Sequence, residues 1–544
     1  MIHPLRALVA TIPLAAGAVA LARPASADAG LGPDARATDT VASDAERAGF
    51  DIWEIRVLGN TVLEAPQIES AVYPHLGPAR SIRDVEAARD ALVQVYRDRG
   101  YGTVFVDIPE QDVPDGVVRL QVTEGRIDRV RISGARYFRN GAIRAAVPAL
   151  EPDSVPRLPE LQEQLGRVNQ QSRDRVVTPV LRAGRTPGTL DVELKVKDSL
   201  PLHASVELND RYTADTARLR AKLDLSYENL FQRFHSLSLQ FQTAPEERND
   251  ARVLAATYVM PVQRFNDYAA FYVVDTNSDV AAIGTLSVIG AGRIYGGRYI
   301  ATLPPAGAYG HSLTFGADLK DFAENIRIDD DTGLETPIRY VNWSLAYRGD
   351  LRRERWSGGL SAEVNFGLRG LGNSPQEFGD KRFLARPNYV YLRAAADVAV
   401  PLPARFQAAL RVAGQYSGDP LISNEQFSVG GADSVRGYLE SEALGDYGVQ
   451  ASLELRSPPL LGRWDADGAH RLVAVAFGDG AIVHIHDALP KQDSGTNLAS
   501  VGLGLRYTGA WGLTGMLDWA YPLISTDRVA AGDSRLHMSV RYGF

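Results

Sequence analysis

In the stretch ADSVRGYLESEALGD, Ala432 to Asp446, one arginine stands among four acids, with Arg436 between Val435 and Gly437. A planar guanidinium bonds a carboxylate through two parallel N–H groups, so a residue here either pins one segment to another or is a solvated surface charge. Gly437 beside it tolerates positive φ and close backbone approach, as the tip of a tight loop requires. Other residues with chemical potential argue for less. HIHD, His484 to Asp487, sets two histidines on one face of a strand with no third ligand indicated, so loop or strand-end residues are expected there rather than a metal centre. The chain has no Gly-x-Ser-x-Gly elbow, no Walker phosphate loop and no cysteine, which removes elbow-type hydrolysis, nucleotide-driven work, disulfides and thiolate metal sites. No catalytic residue, metal or cofactor is expected.

The elements that must position Arg436 come next. At 544 residues the chain is long enough for two to four domains, and a net charge of -8 does not suit a nucleic-acid binder. Arg6 precedes the apolar run Ala7 to Leu21, and Ala25-Ser26-Ala27 fits a cleavage site, so residues 1–27 read as an export signal. No cysteine follows it, which leaves no lipid anchor. No later run reaches the ~18 apolar residues of a helical span, so a membrane protein from here on has to be a barrel.

Residues 50 to about 200 have mixed α/β grammar. FDIWEIRVLGN, Phe50 to Asn60, reads as a strand running into a turn. Ser81 to Gly100 reads as a helix, with Ser81 as N-cap, Asp84 three residues on, an apolar face of Ile82, Val85, Ala88, Leu92 and Val95 or Tyr96, and Gly100 as the stop. Two strands follow. The pattern then restarts: Ile55-Arg56-Val57 with Gly59 is echoed by Val130-Arg131-Ile132 with Gly134, so two copies of one strand–helix–helix–strand–strand module are predicted, at 50–125 and 126–200. Such modules expose sheet edges to which an extended partner strand can add; inert spacers would read the same way.

After Pro201 the helical grammar stops and period two takes over. Leu219, Ala221, Leu223, Leu225 and Tyr227 alternate with Arg218, Arg220, Lys222, Asp224, Ser226 and Glu228. Leu237, Leu239 and Phe241 repeat the pattern, and so do Leu536, Met538, Val540, Tyr542 and Phe544 at the end of the chain. A soluble sandwich shares this periodicity. Strands of about ten residues with densely charged faces, and aromatics such as Tyr227, Tyr258, Tyr295, Tyr416, Trp511, Trp519 and Tyr521 near strand ends, favour a transmembrane barrel at 201–544, with about sixteen strands. The fold class is therefore α+β modules followed by an all-β barrel.

Together these pieces resemble the transporters of two-partner secretion, the haemolysin-activator family, within the superfamily that includes the outer-membrane insertase BamA. The segments DRGYGTVFVDIPEQDVPDGVVRLQVTEGRI and LRAGRTPGTLDVELKV resemble the family's two POTRA modules. SYENLF (Ser226 to Phe231) resembles the turn after its second barrel strand, and Phe427 to Leu455 is the most specific match. The resemblance implies that Val435, Arg436, Gly437 and Tyr438 form the tip of a surface loop folded back into the lumen. There Arg436 would meet an inner-wall aspartate, Asp479, two residues after Phe477. Ala481 stands where the pattern has glycine, and Gly480 comes one position early. By parity Val475 and Phe477 point inward with Asp479 and need an apolar partner from the loop, Tyr438 or Val435. Tyr542 and Phe544 resemble a barrel-assembly signal read by the barrel-assembly machinery. The implied protein is a monomer in the bacterial outer membrane, with its modules in the periplasm, where they receive a secreted TpsA-like exoprotein. The mixed charges of Arg218, Arg220, Lys222, Asp224 and Glu228 would line its conduit. Members often carry a plug helix before the first module; residues 28–49 are a linker or a short plug-like segment. A BamA-type insertase is the rival reading, although it carries more modules.

Overall fold

The computed structural model describes residues 49–544 except 215, 248–250, 263–266, 278–279, 284–285, 324, 330–331, 354, 462–468 and 491. The expected export signal and all but Gly49 of the plug-like segment lie outside the described residues. The chain forms two compact units, one ending at Leu200 and one running from Pro201 to Phe544.

In the first unit the best-marked helix runs Ile82–Asp98. Its start is fixed by Ser81, whose backbone N–H donates to the Asp84 carboxylate at 2.8 Å. That bond holds the Asp84 carboxyl below the usual aspartate range. Gly100, at φ +89°, ends the segment. Val85, Ala88, Leu92 and Tyr96 are buried. Ile82 was expected among them but is 42% exposed. At 3.6 residues per turn it lies about 75° off the centre of that stripe.

The predicted first strand is broken at Trp53 into Phe50–Ile52, which pairs with Gly77–Arg80, and Glu54–Leu58. Glu54–Leu58 runs parallel to Val117–Glu124, which pairs antiparallel with Val104–Asp107. The same order recurs in Arg126–Ser133, Thr189–Asp198 and Arg175–Ala183, again parallel and then antiparallel. The sequence echo thus has a backbone cause. Gly59 and Gly134 have φ of +84° and +87°, and a Cβ on either would lie 2.3 Å from a carbonyl oxygen, of Val122 or Val196.

In the second unit sixteen antiparallel strands close into a barrel, from Leu202–Asn209 round to Arg535–Gly543. Alternation decides which face is outside. Leu223, Leu225, Leu239, Phe241, Leu503, Trp519, Leu536 and Val540 are all exposed on the outer wall, a belt too continuous for a water-facing surface and suited to lipid. Positions of the opposite parity face inward: Asp518 beside Trp519 and His537 beside Leu536 are buried, as are Asp479 and Ser500. One detail differs from expectation. The second strand begins at Arg220, so Arg218 is not on the inner wall; its backbone N–H donates to Glu246 at 3.1 Å. Arg220 instead folds back onto the Leu219 carbonyl, at 3.1 Å, and the Thr216 hydroxyl, at 2.5 Å, closing the loop that leads in. SYENLF ends this strand, and Phe231 and Gln232 turn the chain at positive φ.

Candidate functional site

The eleventh barrel strand ends at Ser417 and the twelfth begins at Tyr447. Between them a short hairpin, Phe427–Val429 against Ala443–Gly445, forms the neck of a loop. Beyond the neck Arg436 is 4% exposed, which a solvated charge would not be. Its Nε and Nη2 donate to the two Asp479 oxygens at 2.7 and 2.8 Å, and its backbone N–H reaches the same carboxylate at 3.1 Å. Nη1 donates to Glu454 at 2.9 Å and lies 3.4 Å from Asp518; Nη2 also reaches the Ser452 hydroxyl at 3.1 Å.

Asp518 is clasped a second time by Arg506, at 2.5 and 2.7 Å, and Glu454 by Arg456, at 2.6 Å. Three guanidinium groups thus face three carboxylates, and the sum of charges is zero. Balance is what allows ions to sit away from bulk water, since each shielded carboxylate would otherwise be stranded.

Phe477 is where the structure departs from expectation. It points inward as parity requires, but its partner is neither Tyr438 nor Val435. The Arg436 guanidinium lies over its ring, with Cζ 3.5 Å from the centroid. A flat cation stacks on an aromatic face while its edges remain free to bond in plane. Gly502, directly opposite Phe477, makes room for the ring: a Cβ there would sit 2.3 Å from it. Val435 and Tyr438 pack instead with Ala481, Val483 and Leu498. Ala481, in the place of the pattern's glycine, therefore joins an apolar contact, and the strand Arg471–His484 keeps an unbroken register through it. The Tyr438 hydroxyl lies 2.7 Å from the Ile524 carbonyl and 3.0 Å from that of Ala499. Gly437, at φ +96°, turns the tip and donates its N–H to His537 Nε2 at 2.9 Å. Tyr542 and Phe544 lie elsewhere, at the barrel's closing edge; both rings are exposed, and the Phe544 backbone pairs with Ala204.

Sequence reasoning missed the stems of this loop. Glu425, 1% exposed, accepts from Lys320 and from the Tyr340 and Tyr391 hydroxyls, the latter two at 2.5 and 2.6 Å. Asp446 is fully buried and receives both arms of Arg382 at 2.5 and 2.8 Å. Arg382 ends a short helix, Pro375–Lys381, whose Phe378 packs edge-on against Tyr340, 5.4 Å between centroids. Asp518 carried a usable signal. A lone carboxylate between Leu517 and Trp519 on an alternating strand has to face inward. Glu425 and Asp446 gave none, since acids in loops are usually solvated. His484 closes its strand and stacks on Tyr447, 5.4 Å between ring centroids, while His486 lies beyond the strand with Nε2 at 2.9 Å from the Ser417 carbonyl.

Comparison with known proteins places this geometry. Residues 50–125 match the POTRA domain of ShlB type, and residues 188–507 match the model for haemolysin secretion/activation protein ShlB/FhaC/HecB. The outer membrane transporter CdiB of Dickeya dadantii (strain 3937) is 24% identical over 86% of this chain and 81% of its own length. The hemolysin transporter protein ShlB of Serratia marcescens is 23% identical over 79% and 75%. Among solved structures, CdiB from Escherichia coli superposes with a TM-score of 0.60 at 22% identity, covering 94% of this chain and 93% of its own. BamA from Haemophilus ducreyi lacking POTRA domains 1-3 gives 0.56 at 16% identity, over 91% of this chain and 100% of its own, a likeness of fold. Because the haemolysin secretion/activation model spans more than half of the 544 residues, the chain belongs to that family, and it is an outer-membrane translocator that exports a partner exoprotein through its barrel rather than an enzyme.

Proposed function

We propose that the loop tip, Val435 to Tyr438, is the working part of this translocator and that the first module is where the exoprotein is recognised. The observation that carries the first reading is the shielded Arg436–Asp479 fork, which gives a mobile type of element, a loop, one orientation inside the conduit. For recognition, the strand Glu54–Leu58 lies at a sheet edge beside the helix Ala65–Val72. Between them runs a groove of about 420 Å³ lined by Trp53, Ile55, Val57, Ile68 and Tyr73. Trp53 and Tyr73 are each 58% exposed. An extended segment can add its backbone to such an edge while its alternate side chains enter the groove. The modules at 50–125 and 126–200 receive cargo, the barrel at 201–544 works as a monomer, and Tyr542 with Phe544 is the signal read by the barrel-assembly machinery.

The test uses the purified full-length protein and the exoprotein's N-terminal domain. Truncating both groove aromatics, Trp53→Ala with Tyr73→Ala, is expected to weaken capture at least tenfold with the barrel intact. Unchanged capture moves recognition away from this edge, and deletion of Phe50 to Asp198 then shows whether the modules take part at all.

A further inference from the structure

The loop tip reaches beyond the wall that bears Asp479. The first and last strands close the barrel from Ser539 opposite Asn209 to Gly543 opposite Ser205. Ala204 and Phe544 extend this join by exchanging backbone bonds at 2.9 Å. At its other end Asp210 accepts the Met538 N–H at 2.7 Å on its side chain and donates its own N–H to the Met538 carbonyl at 3.3 Å. Elsewhere the wall is held more extensively: Tyr309–Phe322 is paired with its neighbour from Tyr309 opposite Leu351 to Phe322 opposite Ile338. Ladder strength grows with the number of bonds, so the closing seam is a weak join by construction.

On its inner side the tip bonds to both flanks. Asp433 receives both arms of Arg211, which follows the first strand; one of these bonds is 3.0 Å. The Glu440 N–H donates to the Tyr212 carbonyl at 3.2 Å. Gly437 bonds to His537 on the last strand. That bond makes Nε2 the acceptor and leaves the imidazole proton on Nδ1, 4.0 Å from Asp210. The two flanks also meet directly, because Arg535 donates to the Tyr212 hydroxyl at 2.9 Å. The tip is kept in one shape by the Glu440 carboxylate, which accepts the Ala432 N–H at 3.0 Å.

We propose that Asp433 and Arg211 are positioning residues that staple the seam. Anchored on Asp479, the tip grips both sides of the first–last junction and keeps it shut while the exoprotein moves along the barrel axis. This rests on the reading of the loop tip as the working element of transport. The bidentate charge pair holds one flank, the Gly437–His537 bond holds the other, and the rigid tip spans them. A barrel whose wall parted here would have to break the ladder and release the tip as well.

Hydrogen exchange followed by mass spectrometry on the full-length protein tests the staple. In Arg211→Asp and in Asp433→Arg, amides of 202–209 and 535–543 are expected to exchange at least tenfold faster. Those of 309–322 and 338–353 should keep their rates, and the double swap should restore the seam to within threefold. Unchanged seam exchange, uniform acceleration round the barrel, or no rescue by the swap each overturns the proposal. A second arm does not depend on how the charge variants fold. Leu208 and Val540 are opposed across the seam and both exposed, so Leu208→Cys with Val540→Cys can be bridged by a bifunctional maleimide. The bridged protein is expected to export its partner as well as the unbridged one; loss of export means that the seam opens. Arg436→Ala separates the two readings. Normal export in that variant removes the tip from transport, whatever the seam amides do.

Discussion

Replacing Arg436 by lysine keeps the charge and discards the fork. One ammonium group lying over the Phe477 ring cannot reach both Asp479 oxygens, Glu454 and Ser452 at once. Asp518 and Glu454 keep Arg506 and Arg456, but leaving the shielded Asp479 without its guanidinium, as Arg436→Ala does, costs roughly 3–5 kcal/mol. We therefore expect Arg436→Lys, like Arg436→Ala, to leave a heat-modifiable barrel in the outer membrane while surface appearance of the exoprotein falls sharply; undiminished secretion would refute the role given to the fork. Gly437→Ala should be milder. The nearest atoms to an added Cβ are 3.4 Å away, so the cost is conformational, about 1–2 kcal/mol for an L-residue at φ +96°. A loss of thermal stability as large as that of Arg436→Ala would show that the tip is more crowded than the geometry indicates. At this scale the sequence was partly legible. Parity turned Phe477 inward, but it could not show that a cation, rather than Tyr438 or Val435, would cover the ring.

Two elements carry predictions of their own. The helix Pro375–Lys381 is tied to the loop stem through Arg382 and Asp446, and Phe378 is held among the wall tyrosines. Arg382→Ala removes both charged bonds from a fully buried carboxylate. In planar bilayers this variant should show a several-fold higher or more frequently open conductance than wild type; identical traces would mean that the helix does not obstruct the conduit. In the first unit, Gly59 and Gly134 occupy equivalent corners of repeated modules. Alanine at either adds the positive-φ cost of about 1–2 kcal/mol to a clash with a carbonyl oxygen. Limited proteolysis of the full-length protein should then cut first within 50–125 for Gly59→Ala and within 126–200 for Gly134→Ala. Cleavage in the wrong module would break the equivalence. The repeat was readable because a glycine forced by backbone crowding leaves a mark in one dimension. The short helix was not, because PQEFGDK has neither the length nor the apolar stripe that periodicity detects.

For the molecule as a whole, the closing edge separates assembly from stability. The Phe544 ring is 70% exposed, whereas its backbone pairs with Ala204. Phe544→Ala should change the thermal stability of the finished barrel by no more than about 0.5 kcal/mol, as surface substitutions usually do, yet lower the amount assembled in the outer membrane. A matched fall in both would make the residue structural only. Alternation determined that the chain after Pro201 is built of strands with one apolar and one charged face, because side-chain parity along a strand is a local property that each segment states independently. Strand length, charge density and aromatics near strand ends favoured a barrel over a sandwich, and closure of the sixteen strands decided which face meets lipid. The recurrence of one glycine-marked pattern likewise set out the two modules. The family resemblance pointed to Asp479, but only the tertiary structure added Glu454 and Asp518 to the acids around Arg436. Glu454, Asp479 and Asp518 lie 18, 43 and 82 residues away along the chain. Strand register and the inward fold of one loop bring them together, and neither is encoded in the spacing of charges.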